Sequence, residues 1–229
     1  ATTIAGPISI YGGNITLNAG LTTTNSTTGD VSLTGNVTGS GAISLATNRE
    51  LTITQSGNST YSGVISGSGS SLVKDGAGNL TITASTHSYS GDTAIESGSL
   101  IIGTVGRLGS GSYAGNISNN GTLTFNSTAE QTFSGILSGT GALVKSNTGQ
   151  LSLTGINTYS GCSTISGGRL FGGAGSLTRT AFGSGDITIN TGGTLWTDRS
   201  ELSNNLVLNG GTLQGTNGFG EVWNGTVSL

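Results

Sequence analysis

Cysteine, proline, histidine and charge are almost missing from this chain, and each shortage excludes something. Among 229 residues there is one Cys, one Pro, one His and no Met, and only 7% are charged. With Cys162 alone no intrachain disulfide can form, and one Cys with one His cannot build a zinc site. So little charge argues against a solvated disordered tail. One proline, and glycines that keep no period of three, exclude a collagen-like helix. The seven Lys and Arg form no basic stripe, so nucleic acid is not an expected partner. The longest apolar runs, such as LIIG at 100–103, are far too short for a transmembrane segment. The opening ATTIAGPISIYGG has neither a charged start nor an apolar stretch, so it does not read as a signal peptide; a processed or excised segment is expected.

What remains is glycine, 43 residues of it, with Ser, Thr and Asn and evenly scattered Leu, Ile and Val. Turn formers mixed with β-branched residues are the ingredients of an all-β repeat protein. Short alternating segments recur: ISIY from Ile8, VSLT from Val31, LTIT from Leu51 and from Leu80, LSLT from Leu151, ITIN from Ile187. Apolar residues hold the first and third places and a hydroxyl the second, which puts the two kinds on opposite faces of a strand. Gly-Ser and Asn-Gly turn signals separate them.

The chain also repeats itself. Residues 51–100 align with 123–170, first at an offset of 72, then 71 and 70 after two one-residue slips in Ser/Thr/Gly-rich stretches. Tyr61 meets Phe133, Lys74 meets Lys145, and Tyr89 meets Tyr159; fading similarity continues to about residue 201. A fixed repeat of tens of residues is the mark of a stacked array rather than a sandwich. The fold expected is a parallel β-helix, a solenoid of about ten coils on the order of 50 Å long, with residues 1–229 as one domain. Three coils of about 24 residues per repeat would account for the offset. Lys74 and Lys145, each following Leu-Val, are expected at a strand end with the ammonium in solvent.

The phrase SGTGALVKSNTGQLSLTGINTYSGCSTISGGRL at 138–170 resembles the passenger-associated repeat of bacterial autotransporter proteins, and 66–100 is a looser second copy. Shared elements are the G-x-G turn, the L-V-K strand, a glycine before L-x-L-T, then T/S-Y-S-G and I-x-x-G-x-L. The opening also resembles haemagglutinin-type exoprotein repeats. Cys162 departs from the pattern, which has another small residue there, and is expected as a small residue packed at a turn. The resemblance implies that the fold is an all-β, right-handed parallel β-helix, and that the chain is a secreted or cell-surface adhesin passenger, exported through an outer-membrane translocator barrel, fused or separate. Glycans, host matrix or identical copies of the same chain would be its partners. Scarce cysteine suits a chain that crosses a membrane unfolded.

Chemistry is harder to find. A β-helix carbohydrate-active enzyme, a polysaccharide lyase or hydrolase, needs clustered carboxylates. The ten acids sit singly, and only stacking of Asp75, Asp92 and Glu96 offers a cluster. His87 reads as an exposed loop residue, with no nucleophile elbow near it. No phosphate-binding, dinucleotide or calcium-loop motif is present, so no catalytic, metal or cofactor residue is assigned. The N-x-S/T triplets, from Asn14 to Asn224, follow from composition. Thr52 with Thr54 and Thr81 with Thr83 suggest an ice-binding ladder, although equivalent rows break it. Trp196 and Trp223 are either sugar-stacking platforms or fillers of irregular coils.

Overall fold

A computed structural model describes residues 2–173, 181–198, 202–215 and 225–229. It is a parallel β-solenoid of about ten turns, with no α-helix among the described residues and one 3₁₀ turn at Leu108–Gly111. Each turn carries up to three short strands, which form a first, a middle and a last face. On the middle face the stack runs from Ile8–Leu17 through Val31–Gly39, Asn79–Ile82, Thr122–Ser127 and Ile187–Asn190 to Val227–Ser228. All the named ladders are parallel, so the strands of an inner turn are paired with the turns above and below.

The alternation read from sequence sets what points inward. Leu80, Leu100, Leu123, Leu143, Ser163, Ile187 and Leu206 form one buried column of the middle face. Val31, Leu51, Leu72, Thr93, Ile117 and Leu137 form another on the first face. The hydroxyl residues Thr93 and Ser163 stand where the columns otherwise hold branched hydrocarbon. Each is answered by the tyrosine four residues earlier: Tyr89 Oη lies 2.9 Å from Thr93 Oγ1 and Tyr159 Oη 2.8 Å from Ser163 Oγ. That is the physical content of the repeated Y-S-G-x-T/S word: a large ring fills the core and its hydroxyl closes on a partner inside it.

The register corrects the expected coil length. Successive middle-face partners are 19 to 24 residues apart, close to 20 in most turns. From Leu72 the first-face column advances through Thr93 and Ile117 to Leu137 in three turns, and Leu143, the repeat partner of Leu72, lies one face further on. The repeat is therefore three turns plus a face. The second copy performs the same packing as the first, rotated around the coil.

Candidate functional site

The solenoid offers two kinds of candidate: polar groups drawn into its interior, and the side chains lining its outer faces. The interior contradicts two expectations. Lys74 and Lys145 do not reach solvent; both are fully buried. Lys74 Nζ donates to the carbonyls of Asp75, Gly76 and Ser97 at 2.9, 2.7 and 3.2 Å. Lys145 Nζ does the same with Ser146, Asn147 and Gly167 at 2.6, 2.7 and 3.0 Å. The corner after each lysine is left-handed, at Gly76 and Asn147, and this brings consecutive carbonyls within reach of one ammonium. The third carbonyl comes from the next turn. Burial lowers the pKa of both amines, Lys145 to about 8, while Asp75 works in the opposite direction on Lys74.

His87 is likewise buried rather than exposed. Its Nδ1 accepts the Ile65 N–H at 3.1 Å, and its buried Nε2 has no partner among the described residues. Asn157 holds the equivalent place in the second copy: Oδ1 accepts the Leu137 N–H and Nδ2 donates to the Ala181 carbonyl, both at 2.7 Å. Burial pushes the imidazole down to about 4. Its folded pKa lies below the unfolded value near 6.5, so its contribution is intact above that pH and is lost as pH falls toward 4. The chain at pH 5 should therefore be about 2 kcal/mol less stable than at pH 7 through this group. His87→Asn should remove that slope, and urea unfolding of both proteins at the two pH values checks it. Equal pH dependence in the two would show that His87 is not its source.

Outside, the acids do not gather. Asp75 and Glu96 lie at one edge of the first face, where Asp75 Oδ1 accepts the Ser97 hydroxyl and Glu96 N–H bonds to the Lys74 carbonyl. Asp92 lies at the opposite edge, holding the Asn116 N–H at 2.8 Å. A strand's length separates them, and among the described residues no three His, Cys, Asp or Glu side chains group for a metal. Between Asp92 and the Ser118 column runs an open groove of about 680 Å³, floored by Val73, Ala94 and Ser118. Cys162 is exposed at the start of a middle-face strand rather than packed. Asn224, Glu201, Glu221 and Trp223 lie outside the described residues.

The threonine rows noted above do not stack on one another. Thr52 belongs to the first face, above Val73, and Thr81 to the middle face, above Ile101. A different ladder emerges instead. Thr60, Thr81, Ile101, Thr124, Val144, Thr164, Thr188 and Val207 are successive outward partners on the middle face. Every one is β-branched and none is charged. On the last face the outward column is small at first, with Thr132 and Ser152, and then becomes aromatic at Phe171 and Trp196. Their ring centroids are 5.1 Å apart at 62°, and the Arg169 guanidinium lies 4.5 Å over the Trp196 ring.

Two stretches, 72–102 and 143–170, match the family model described as the passenger-associated-transport-repeat. These repeats on a parallel solenoid fit an autotransporter passenger domain, a class that is secreted or exposed at the cell surface and has a translocator barrel as its partner. No curated protein and no solved structure matches the chain. Among the described residues no helix is long and apolar enough to cross a membrane.

Proposed function

We propose that residues 1–229 form one rod of a bacterial surface adhesin, acting by presentation and lateral contact rather than by catalysis. The observation that carries this reading is the uncharged, β-branched ladder of the middle face. β-Branched side chains are stiff at χ1, so the face loses little side-chain entropy when it is covered. Charge is absent from the ladder, so no ion needs to be desolvated. Ten turns at about 4.8 Å, one strand wide, would bury on the order of 1,000 Å² in total against a flat partner, the lower bound for a specific interface. An identical rod is such a partner, and an extended glycan or matrix fibre is another.

Beads coated with the chain test the idea when they are mixed with each other and with panels of polysaccharides and matrix proteins. Saturable adhesion is expected, weakened at least tenfold when Thr81, Thr124 and Thr164 are all changed to Lys. Those positions are solvent-facing, so the circular dichroism of the variant should be unchanged. Wild-type beads that adhere to nothing would make the segment a spacer and end this reading.

A further inference from the structure

The aromatic end of the last face differs from the rest of the surface. Large side chains replace a column of hydroxyls there, and a cleft of about 350 Å³ opens beside them. Its lining includes Glu130, Thr148, Gln150, Arg169 and Thr194. From Gln150 and Arg169, strand pairing runs on to Thr194 in the next turn. We propose that this cleft binds an acidic sugar, a uronic acid carboxylate held by Arg169 within a hydroxyl-rich chain. The proposal rests on the adhesive reading above and names one of its ligands.

Three of the other described cations are already engaged. Lys74 and Lys145 are consumed by backbone carbonyls, and Arg49 bonds the Thr27 carbonyl and lies 3.4 Å from Asp30. Arg107 has no carboxylate partner among the described residues, but its Nε is buried and it does not line this cleft. Arg169 also has no carboxylate partner among the described residues. Its Nη1 donates a 3.3 Å hydrogen bond to Gln150 Oε1, and its Cζ lies over the indole. These two contacts hold the head group, and its remaining N–H groups, which have no partner among the described residues, can grip a carboxylate. Gln150 is itself held, since its Nε2 donates to Ser152 Oγ at 2.9 Å. Thr148 and Thr194 add hydroxyls suited to a sugar, while Trp196, outside that lining, positions Arg169. Glu130, in the same cleft, accepts sugar hydroxyls and disfavours a densely sulfated chain.

The test is direct binding of the full chain to polygalacturonate, with dextran, dextran sulfate and polyglutamate as comparators. Saturable binding to polygalacturonate is expected, weaker at high salt and at least tenfold weaker in Arg169→Gln. Arg169→Lys, which keeps the charge but not the fork, should also bind several-fold more weakly. Arg49→Gln removes an equal charge elsewhere and should bind like wild type. Thermal midpoints of the three variants confirm that each has folded. Polygalacturonate binding that is absent, that Arg169→Gln leaves unchanged, or that is exceeded by dextran sulfate or polyglutamate overturns the proposal. Arg169→Gln beads that still adhere to one another would separate loss of this site from loss of the adhesive face.

Discussion

Lys145→Met is expected to lower the stability of this protein by about 3 kcal/mol, a fall of roughly 6–12 °C in thermal midpoint for a chain of this length. The substitution keeps an unbranched side chain as far as Cε, with sulfur in place of Cδ, and removes the ammonium. Two effects then oppose each other. Burying the ammonium is costly, as its lowered pKa shows, and Met removes that cost. Against this, the carbonyls of Ser146, Asn147 and Gly167 lose their shared donor in a place where Lys145 is fully shielded from water. An orphaned buried acceptor costs about 1–3 kcal/mol, so three of them outweigh the gain. The Gly167 carbonyl belongs to the following turn, so the lysine also ties one coil to the next. The ring of Phe125, 5.5 Å from Nζ, loses its cation as well. Arg at the same position should not rescue, because a planar guanidinium cannot converge its donors on one corner. Thermal and urea unfolding of both variants measure the effect, and a K145M protein as stable as wild type would falsify the corner assignment.

That lysine shows where the sequence speaks and where it stops. The parallel solenoid was legible because its code is redundant: an apolar pair flanking a hydroxyl recurs about every 20 residues, and any one turn repeats the message of its neighbours. Which face a residue occupies was not legible. Corners of unequal length set the turns, so a 71-residue step from Leu72 to Leu143 lands on the next face, and no periodicity in the residues announces it. For the same reason Phe171 and Trp196, 25 residues apart, are neighbours that only the register brings together. The ladder from Thr60 to Val207 is built from both repeat copies and from the segment between them, so aligning the copies conceals it.

The buried polar groups were misread for a related reason. A lysine after Leu-Val suggests a strand end in solvent, and a lone histidine at an insertion suggests a loop. The signal that could have placed the lysines is the left-handed residue two positions on, Gly76 in one copy and Asn147 in the other. Such a corner aims successive carbonyls at the side chain that precedes it. For His87 the signal was its alignment with Asn157. Both side chains can accept a backbone N–H in the same place, which a solvent-exposed residue has no need to do.

Gly161→Ala is expected to be as damaging as the lysine change, about 3 kcal/mol, and for a purely steric reason. Seven glycines, at 57, 78, 98, 121, 141, 161 and 185, lie one above another at the corner between the first and middle faces. A Cβ on Gly161 would stand 2.0 Å from the Gly141 carbonyl oxygen and 2.4 Å from its carbon. The contact is backbone, so no side chain can swing aside to relieve it. Nor can the corner lift away, because Cys162 and Ser163 are tied to Leu143 and Asp186 in the turns on either side. The backbone at Gly161 is not in the left-handed region, so the loss would report close approach between turns rather than an awkward dihedral. Gly13→Ala is the matched control, since a Cβ there meets nothing within 4 Å. It should change stability by less than about 1 kcal/mol, in either direction. Urea unfolding of the pair separates the two causes. A large loss in G161A alone places the need for glycine in the stacking of the turns, whereas equal effects would mean that the corners have room for a methyl group and that some other constraint keeps glycine there.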